Sequence, residues 1–240
     1  MFVKQRNNIA SLVVVKVISY LLPLTSYLFL AGCTQDAYEK GEGKYSLMRA
    51  DFVEARANTE KQIDQITTDE GEQLPASRPF TAKLVVTPDS VYRCILYYNK
   101  VRDEKGQEVF EPISIGQVPC PKITPISELD KEMKTDPVKF ESAWLSKTGK
   151  YLNLSLYLMT GTTDDDEATQ TLHVVQDTIM THPDASRTCY LRLYHDQAGL
   201  PEYYSSQVYA SILTSQIEAD SVCFTINTYK GPVTKSFSLR

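Results

Sequence analysis

Histidine is scarce in this chain. Only three occur in 240 residues, and His173, His182 and His195 are not spaced as paired ligands on a helix. Isolated histidines of this kind read as packing or surface residues. Catalytic signatures are missing too. No Gly-x-Ser-x-Gly elbow raises a serine nucleophile. Cys189 and His195 lie six residues apart on one strand face, about 20 Å by strand rise, too far to meet as nucleophile and base. No carboxylate pair stands out for glycoside hydrolysis. The acidic run Asp164-Asp165-Asp166-Glu167 offers oxygen ligands for Ca²⁺ but lacks the spacing and glycine of an EF-hand; it reads as a solvated loop. No metal or other cofactor is expected. Low-complexity tracts are also absent, and an apolar fraction of 42% is that of a globular chain, which excludes disorder as the governing state.

Long apolar runs are missing except at the start. Lys4, Arg6 and Lys16 lead into an apolar run that closes at Leu30-Ala31-Gly32-Cys33. A basic start, an apolar middle and a small-residue cleavage site are the parts of a secretory signal. The cysteine directly after Leu-Ala-Gly makes the site a lipobox. Residues 11–30 are long enough to span a membrane, but Lys16 interrupts them, and Val17–Leu30 suits a signal core better than an anchor helix. The expectation is a lipoprotein signal peptide over 1–32, cleaved after Gly32, with Cys33 lipidated. Residues 33–45, polar and punctuated by glycine, read as a flexible tether. Each buried acyl methylene contributes about 0.8 kcal/mol, so several chains on Cys33 would hold the protein at the membrane. Thr34 is not the aspartate that retains lipoproteins at the inner membrane, which points to the Gram-negative outer membrane. Asp36 and Glu39 alone do not decide between its periplasmic and external faces.

Loss of residues 1–32 removes three positive charges and no negative ones, leaving 208 residues and taking the net charge from −5 to −8. Such a body is unsuited to nucleic acid or to basic-patch adhesion to anionic lipid. Membrane contact is assigned to Cys33 and not to the protein surface.

Strand signals dominate the remainder. Tyrosine is frequent, at fifteen residues, and apolar and polar positions alternate. Residues 46–66 are divided. Their composition favours helix, yet no helical stripe forms, and the turn signal Thr68-Asp69-Glu70-Gly71 allows 46–56 and 61–67 to be paired strands. Further strands are read at Thr81–Thr87, Ser90–Val101 and Gln107–Ile115, about the number a small closed barrel uses. Pro121, Pro125 and Pro137 flank a short helix over Ile126–Met133 capped by Ser127, and the boundary is set here: a barrel domain over 46–125, then a sandwich over 126–240. In the second domain, strands at Phe140–Leu145, Tyr151–Met159, Gln170–Gln176, Arg187–His195, Gln207–Gln216, Val222–Tyr229 and Val233–Leu239 have the spacing of a sandwich. Leu152, Leu154, Leu156 and Leu158 face its core, with Asn153, Ser155 and Tyr157 opposite; Trp144, the single tryptophan, is expected to anchor that core.

Four cysteines remain beyond Cys33. Cys94–Cys120 and Cys189–Cys223 are the natural disulfides of such a division. Cys189 shares the parity of Leu191 and Leu193, whereas Cys223 opposes Val222, Phe224 and Ile226, which argues against the second bridge. Free half-buried thiols remain equally open. Among surface aromatics, Tyr203 and Tyr204 in Pro201-Glu202-Tyr203-Tyr204 are candidate ligand contacts; their structural alternative is to cover the open end of the sandwich. In Tyr97-Tyr98 one ring faces the core and only the other is free for contact.

Tyr45-Ser46-Leu47 leading to Ala50-Asp51-Phe52-Val53, then Thr68-Asp69-Glu70-Gly71 with Leu74, together with the lipobox, resemble the front half of NigD-like lipoproteins. Asp136-Pro137-Val138, Trp144 and Gly149-Lys150-Tyr151-Leu152-Asn153-Leu154 are similar to the start of their second domain. The resemblance implies an all-β chain, an OB-like barrel followed by an Ig-like β-sandwich, and strands over 46–66. It supplies no catalytic residues. The resulting expectation is a lipid-anchored, non-catalytic binding or assembly module whose partner is an envelope protein or glycan. One alternative is a bacteriocin-associated role in immunity or secretion, which the family name suggests. The other is an envelope hydrolase with a site assembled in space.

Overall fold

The computed structural model describes residues 46–162 and 168–240. The signal peptide, Gly32, Cys33, the tether and Asp164–Glu167 lie outside the described residues. Among those described, no helix is long and apolar enough to cross a membrane. Residues Leu47–Arg240 form one compact unit.

Five strands close into a barrel. They are β1 (Met48–Ala57), β2 (Gln62–Thr68), β3 (Gln73–Thr81), β4 (Val91–Arg102) and β5 (Glu108–Gln117). Their order is β1-β2-β3-β5-β4, with β4 returning to pair antiparallel with β1 and a parallel contact, Ala76 to Phe110, joining β3 to β5. This is the OB-like arrangement. Alternation places Val53 and Ala55 of β1 and Cys94, Leu96 and Tyr98 of β4 inside, where they meet Ile63, Ile66, Leu74 and Phe110. Tyr98 and Phe80 both stand edge-on to the Phe110 ring, at 6.0 and 6.2 Å, the geometry that opposes ring edge to ring face. The divided stretch 46–66 is therefore resolved as strands, β1 and the start of β2 joined by a turn.

One expected strand is displaced. Of the expected strand Thr81–Thr87 only Thr81 is in a strand, as the last residue of β3, and turns follow. Tyr92 fixes this loop, its hydroxyl accepting from the Val86 and Thr87 amides at 3.1 and 2.8 Å and donating to the Thr87 carbonyl at 3.1 Å. Only Val85 of the apolar triplet Leu84-Val85-Val86 is buried, so β propensity had no sheet to join. The expected helix over Ile126–Met133 is likewise reduced to a single 3-10 turn, Ile126–Glu128. Pro125 takes the cap position with no side-chain cap, and no residue of the turn is buried. A one-turn helix without a packed face does not propagate.

The second domain is a β-sandwich of eight strands. These are β6 (Ile123–Pro125), β7 (Lys139–Leu145), β8 (Tyr151–Thr160), β9 (Thr171–Thr181), β10 (Arg187–Asp196), β11 (Tyr204–Leu213), β12 (Ser221–Ile226) and β13 (Val233–Ser238). One sheet runs β13-β12-β10-β9-β6 and the other β11-β8-β7. Two parallel pairings, β10 with β12 and β6 with β9, interrupt otherwise antiparallel ladders. The last barrel strand ends at Gln117 and β6 joins the sandwich at Ile123, so three residues expected on the barrel side pair within the sandwich. Leu152, Leu154, Leu156 and Leu158 face Val174, Leu191, Leu193, Val222, Phe224 and Ile226 across the core.

Asn153 and Ser155, on the face opposite the leucines, are buried as well. One expectation changes at the junction of the domains. Trp144 is not in the sandwich core. It is half-buried and stands edge-on, 5.4 Å away, to Phe52 of the barrel. The four cysteines are free thiols. Cys189 is in the core, while Cys223 points the other way, its sulfur 3.2 Å from the Ser236 hydroxyl. The parity mismatch is real, and no bridge forms between them.

Candidate functional site

Asn153 is buried because the barrel sits against the outer face of β8, while Ser155 is held by Glu141 and Gln207 of its own sheet; the contact between the domains is organised by one side chain. Arg93, on β4 of the barrel, is 4% exposed. Its Nη2 donates to Asp69 Oδ2 at 2.8 Å and to Asn153 Oδ1 at 3.0 Å, and its Nε donates to Ser211 Oγ at 3.1 Å. Nη1 lies 2.7 Å from Asp69 Oδ1, an ion-pair contact outside hydrogen-bond geometry. Asn153 Nδ2 donates to Asp69 Oδ2 and Ser211 Oγ to Asn153 Oδ1, both at 2.7 Å. The guanidinium lies 3.9 Å from the Tyr151 ring centre and 5.3 Å from that of Phe52, a cation between two π faces. A barrel cation, a barrel carboxylate and three sandwich strand residues thus meet in one largely buried network.

Around this hub the contacts are peripheral ties. Tyr151 donates its hydroxyl to Glu54 Oε1 at 2.6 Å, and Lys150 pairs with the same oxygen. Lys147 reaches Glu70 at 2.7 Å, the Thr148 amide donates to the Asp69 carbonyl at 3.2 Å, and the Ser211 amide donates to the Pro119 carbonyl at 2.9 Å. Burial pushes the Glu54 carboxyl up, but hydrogen bonds from Lys150 and Tyr151, with the Lys150 and Arg93 charges, outweigh it and hold the group below its ordinary value. Burial and the Glu54 acceptor together raise the Tyr151 phenol.

Next to the hub the same sheet face emerges into solvent. There Glu141 accepts from Ser155, from Gln207 Nε2 at 2.7 Å and from the Tyr157 hydroxyl at 3.3 Å; the Ser155 and Gln207 hydrogen bonds lower its pKa. Tyr209 stands edge-on to Phe52 at 5.3 Å and its phenol is raised by burial and by the nearby Tyr97 and Glu141. Tyr97, Tyr157 and Tyr209, with Gln207 and Glu141, therefore form an amphipathic strip along the notch between the domains. Of the Tyr97-Tyr98 pair, Tyr98 is fully buried and donates to Asp51 at 2.8 Å, leaving Tyr97 at the surface.

Tyr203 and Tyr204 lie elsewhere. β8 starts at the hub and ends at Thr160, opposite Tyr204, about 23 Å from Asn153 by strand rise. Both are exposed, at 76% and 55%. The Tyr203 ring rests on Gly161, where a Cβ would come within 2.8 Å of the ring and 3.0 Å of Pro201. Tyr229 donates its hydroxyl to Glu202 at 2.8 Å. The structure thus places the predicted tyrosines at the far end of the sandwich and does not bring them to the notch. The notch was illegible in sequence: Arg93 carries no local signal, and alternation says only that Asn153 and Ser155 lie opposite the leucines, not what covers them.

Clefts open on both domains. One of about 480 Å³ lies among Val138, Phe140, Tyr229 and Val233 with Lys139 and Lys230, and one of about 460 Å³ lies between Phe80–Leu84 and Pro112–Ile115; neither is lined by histidine, cysteine or carboxylate. A cleft of about 300 Å³ beside the hub does gather Asp51, Asp69 and Glu70, but Arg49, Arg93 and Lys147 respectively pair with them. Among the described residues no cluster of histidine, cysteine or carboxylate side chains is arranged to hold a metal. His195 is buried, its nitrogens facing the Asp136 carbonyl and Gln170 Oε1 at 2.9 and 3.1 Å. His182 Nε2 meets the Thr188 hydroxyl at 2.8 Å, but that hydroxyl is buried and shared with Ser221.

A closed five-strand barrel fixed by a buried arginine to an eight-strand sandwich defines a class of two-domain, all-β proteins. Residues 122–239 match the family model of the NigD-like C-terminal β-sandwich domain, and the chain belongs to the NigD-like family. No curated protein matches the chain. Solved structures share its fold. A NigD-like immunity protein from Bacteroides caccae is 22% identical with a TM-score of 0.62, over 79% of this chain and 96% of that one. A protein of unknown function from Bacteroides vulgatus is 17% identical with a TM-score of 0.58, over 79% and 90%. A protein provisionally described as a lipoprotein, from Bacteroides fragilis, is 12% identical with a TM-score of 0.54, over 80% and 98%.

Proposed function

We propose that this protein is a lipid-anchored, non-catalytic binding or assembly module of the bacterial cell envelope, held at the outer membrane through Cys33. The observation that carries the reading is the Arg93 hub. It ties the barrel and sandwich within one compact unit, with aromatic and strand-edge surfaces on the outside for recognition. Tyrosines with a polar handle suit such contacts with a protein or glycan. Tyr203 and Tyr204 are assigned to a contact surface at the far end of the sandwich. The B. fragilis protein of the same fold, provisionally described as a lipoprotein, is in keeping with the anchor. The test is metabolic labelling with a clickable palmitate, followed by membrane fractionation and crosslinked pull-down. Wild type should carry the label, fractionate with the outer membrane and capture a specific envelope component; Cys33→Ala should lose all three. Labelling that persists in Cys33→Ala would reject the anchor.

A second reading is an immunity role, favoured by the B. caccae structure being that of a NigD-like immunity protein. A bacteriocin-sensitive strain carrying this gene should then survive a toxin dose that kills the empty-vector strain. Death at the same toxin dose as the empty-vector strain would remove this reading.

A further inference from the structure

Among the described residues the barrel is closed, so the strand edges belong to the sandwich, where four strands stand at the ends of the sheets: β6, β7, β11 and β13. An edge strand presents unpaired backbone donors and acceptors, and proteins that stay monomeric blunt such edges with charge, proline, bulges or brevity. Three of the four are blunted. β6 has three residues and ends in Pro125. β7 carries Lys139 and Glu141 and a register shift between Phe140 and Ser142. β13 follows Pro232 and carries Lys235. The fourth has none of these devices. Tyr204-Ser205-Ser206-Gln207-Val208-Tyr209 contains no charge and no proline, and its ladder to β8 runs without a shift.

The backbone direction along this edge follows from two hydrogen bonds. The Thr214 amide donates inward to Lys150, whereas the Ser211 amide donates outward to Pro119. Antiparallel pairing alternates inward and outward residues, so Ser205, Gln207 and Tyr209 turn their amides and carbonyls away from β8. At Ser211 the edge is already taken by the crossover segment at Pro119. The open window therefore runs from Ser205 to Tyr209 and is centred on Gln207.

We infer that a second copy of this chain pairs antiparallel with β11 about a two-fold axis through Gln207. In this register Ser205 of each copy faces Tyr209 of the other and Gln207 faces its own counterpart. The three outward residues of each window are all used, the pairing stops short of Pro119, and no like charges are opposed. A two-fold interface must be self-complementary, and an uncharged window whose outward residues are symmetric about its centre meets that condition. The two three-stranded sheets become one six-stranded sheet. Its contact is smaller than the roughly 1,200–2,000 Å² of stable interfaces, so the dimer is weak and reversible in solution and is favoured where chains are concentrated on a membrane.

The test uses the full-length lipidated protein in detergent, in a Cys120→Ser/Cys223→Ser background that removes the more accessible thiols of the described residues. Opposed residues in such a pair have Cα atoms about 5.5 Å apart, within disulfide range. Mild oxidation should therefore link Gln207→Cys to itself as a covalent dimer, while Ser205→Cys, which faces Tyr209, stays largely monomeric. In sedimentation experiments Ser205→Pro, which removes an outward amide without touching the β8 ladder, should weaken dimerisation roughly tenfold or more, and Ser205→Thr should not. Equal crosslinking of Gln207→Cys and Ser205→Cys would overturn the pairing. So would a monomer at every concentration, or a dimer that persists in Ser205→Pro without a Gln207→Cys crosslink.

Discussion

Arg93 is where single-residue effects concentrate. Removing one partner of a buried ion pair leaves the other charged and unpaired, which costs about 3–5 kcal/mol. Arg93→Met should lower unfolding stability by that order in urea titrations, and adding Asp69→Leu should restore part of the loss. The pH profile follows from groups tied to the hub. Glu54 is held below its ordinary 4.5, so its contribution is complete above that value and is lost as pH falls through the lowered folded value. Tyr98 and Tyr151 are raised by burial and by carboxylate acceptors. Their neutral forms favour the fold, and that contribution declines as pH rises above about 10, the ordinary phenol value. Glu54→Gln should flatten the acid limb of stability and Tyr151→Phe the alkaline limb, both read by thermal melts. Burial also pushes the Cys94 thiol up to about 12 and Cys189 up to about 11. Maleimide at neutral pH should thus modify exposed Cys120 first and reach Cys94 and Cys189 only on unfolding.

At the scale of elements, β8 is buried on both faces, its leucines by the opposing sheet and Asn153 and Ser155 by the barrel and its own neighbours. Its two faces should respond differently. Leu154→Ala should cost about 2–5 kcal/mol through the cavity it leaves, measured as a fall in the urea midpoint while barrel–sandwich docking persists. Asn153→Leu should disturb docking, because it leaves the Arg93 and Asp69 partners unmet. The end of β8 offers a gentler change. Gly161→Ala should displace the Tyr203 ring from its seat while leaving the core intact, seen as a local shift in amide spectra around Tyr203 and Pro201.

For the whole molecule, the hub couples two cores that could each have unfolded alone. The single tryptophan reports on this coupling, since Trp144 of the sandwich packs against Phe52 of the barrel. Fluorescence and far-ultraviolet circular dichroism should therefore trace one coincident transition in the wild type. In Arg93→Met the tryptophan emission should shift to the red before the β signal is lost. Two separated transitions in the wild type would show that the hub is not what joins the domains.

Alternation read along the chain was enough to determine the all-β class and most sandwich strands, because period-two burial is a local property written in residues such as Leu152, Leu154, Leu156 and Leu158. The mismatch of Cys189 and Cys223 was legible for the same reason. What lay beyond it depended on which surfaces meet. The stretch 81–87 has β propensity but no neighbour to pair with. The helix at Ile126 had nothing to pack on. Asn153 lies opposite the leucines with nothing in alternation to say that the barrel covers it, and Trp144 looks like a core anchor until Phe52 arrives. Arg93, on an ordinary-looking strand, gains its role from Asp69, Asn153 and Ser211, which lie 24, 60 and 118 residues away. Sequence periodicity decides which side of a strand is apolar; only the tertiary structure decides what stands on the other side.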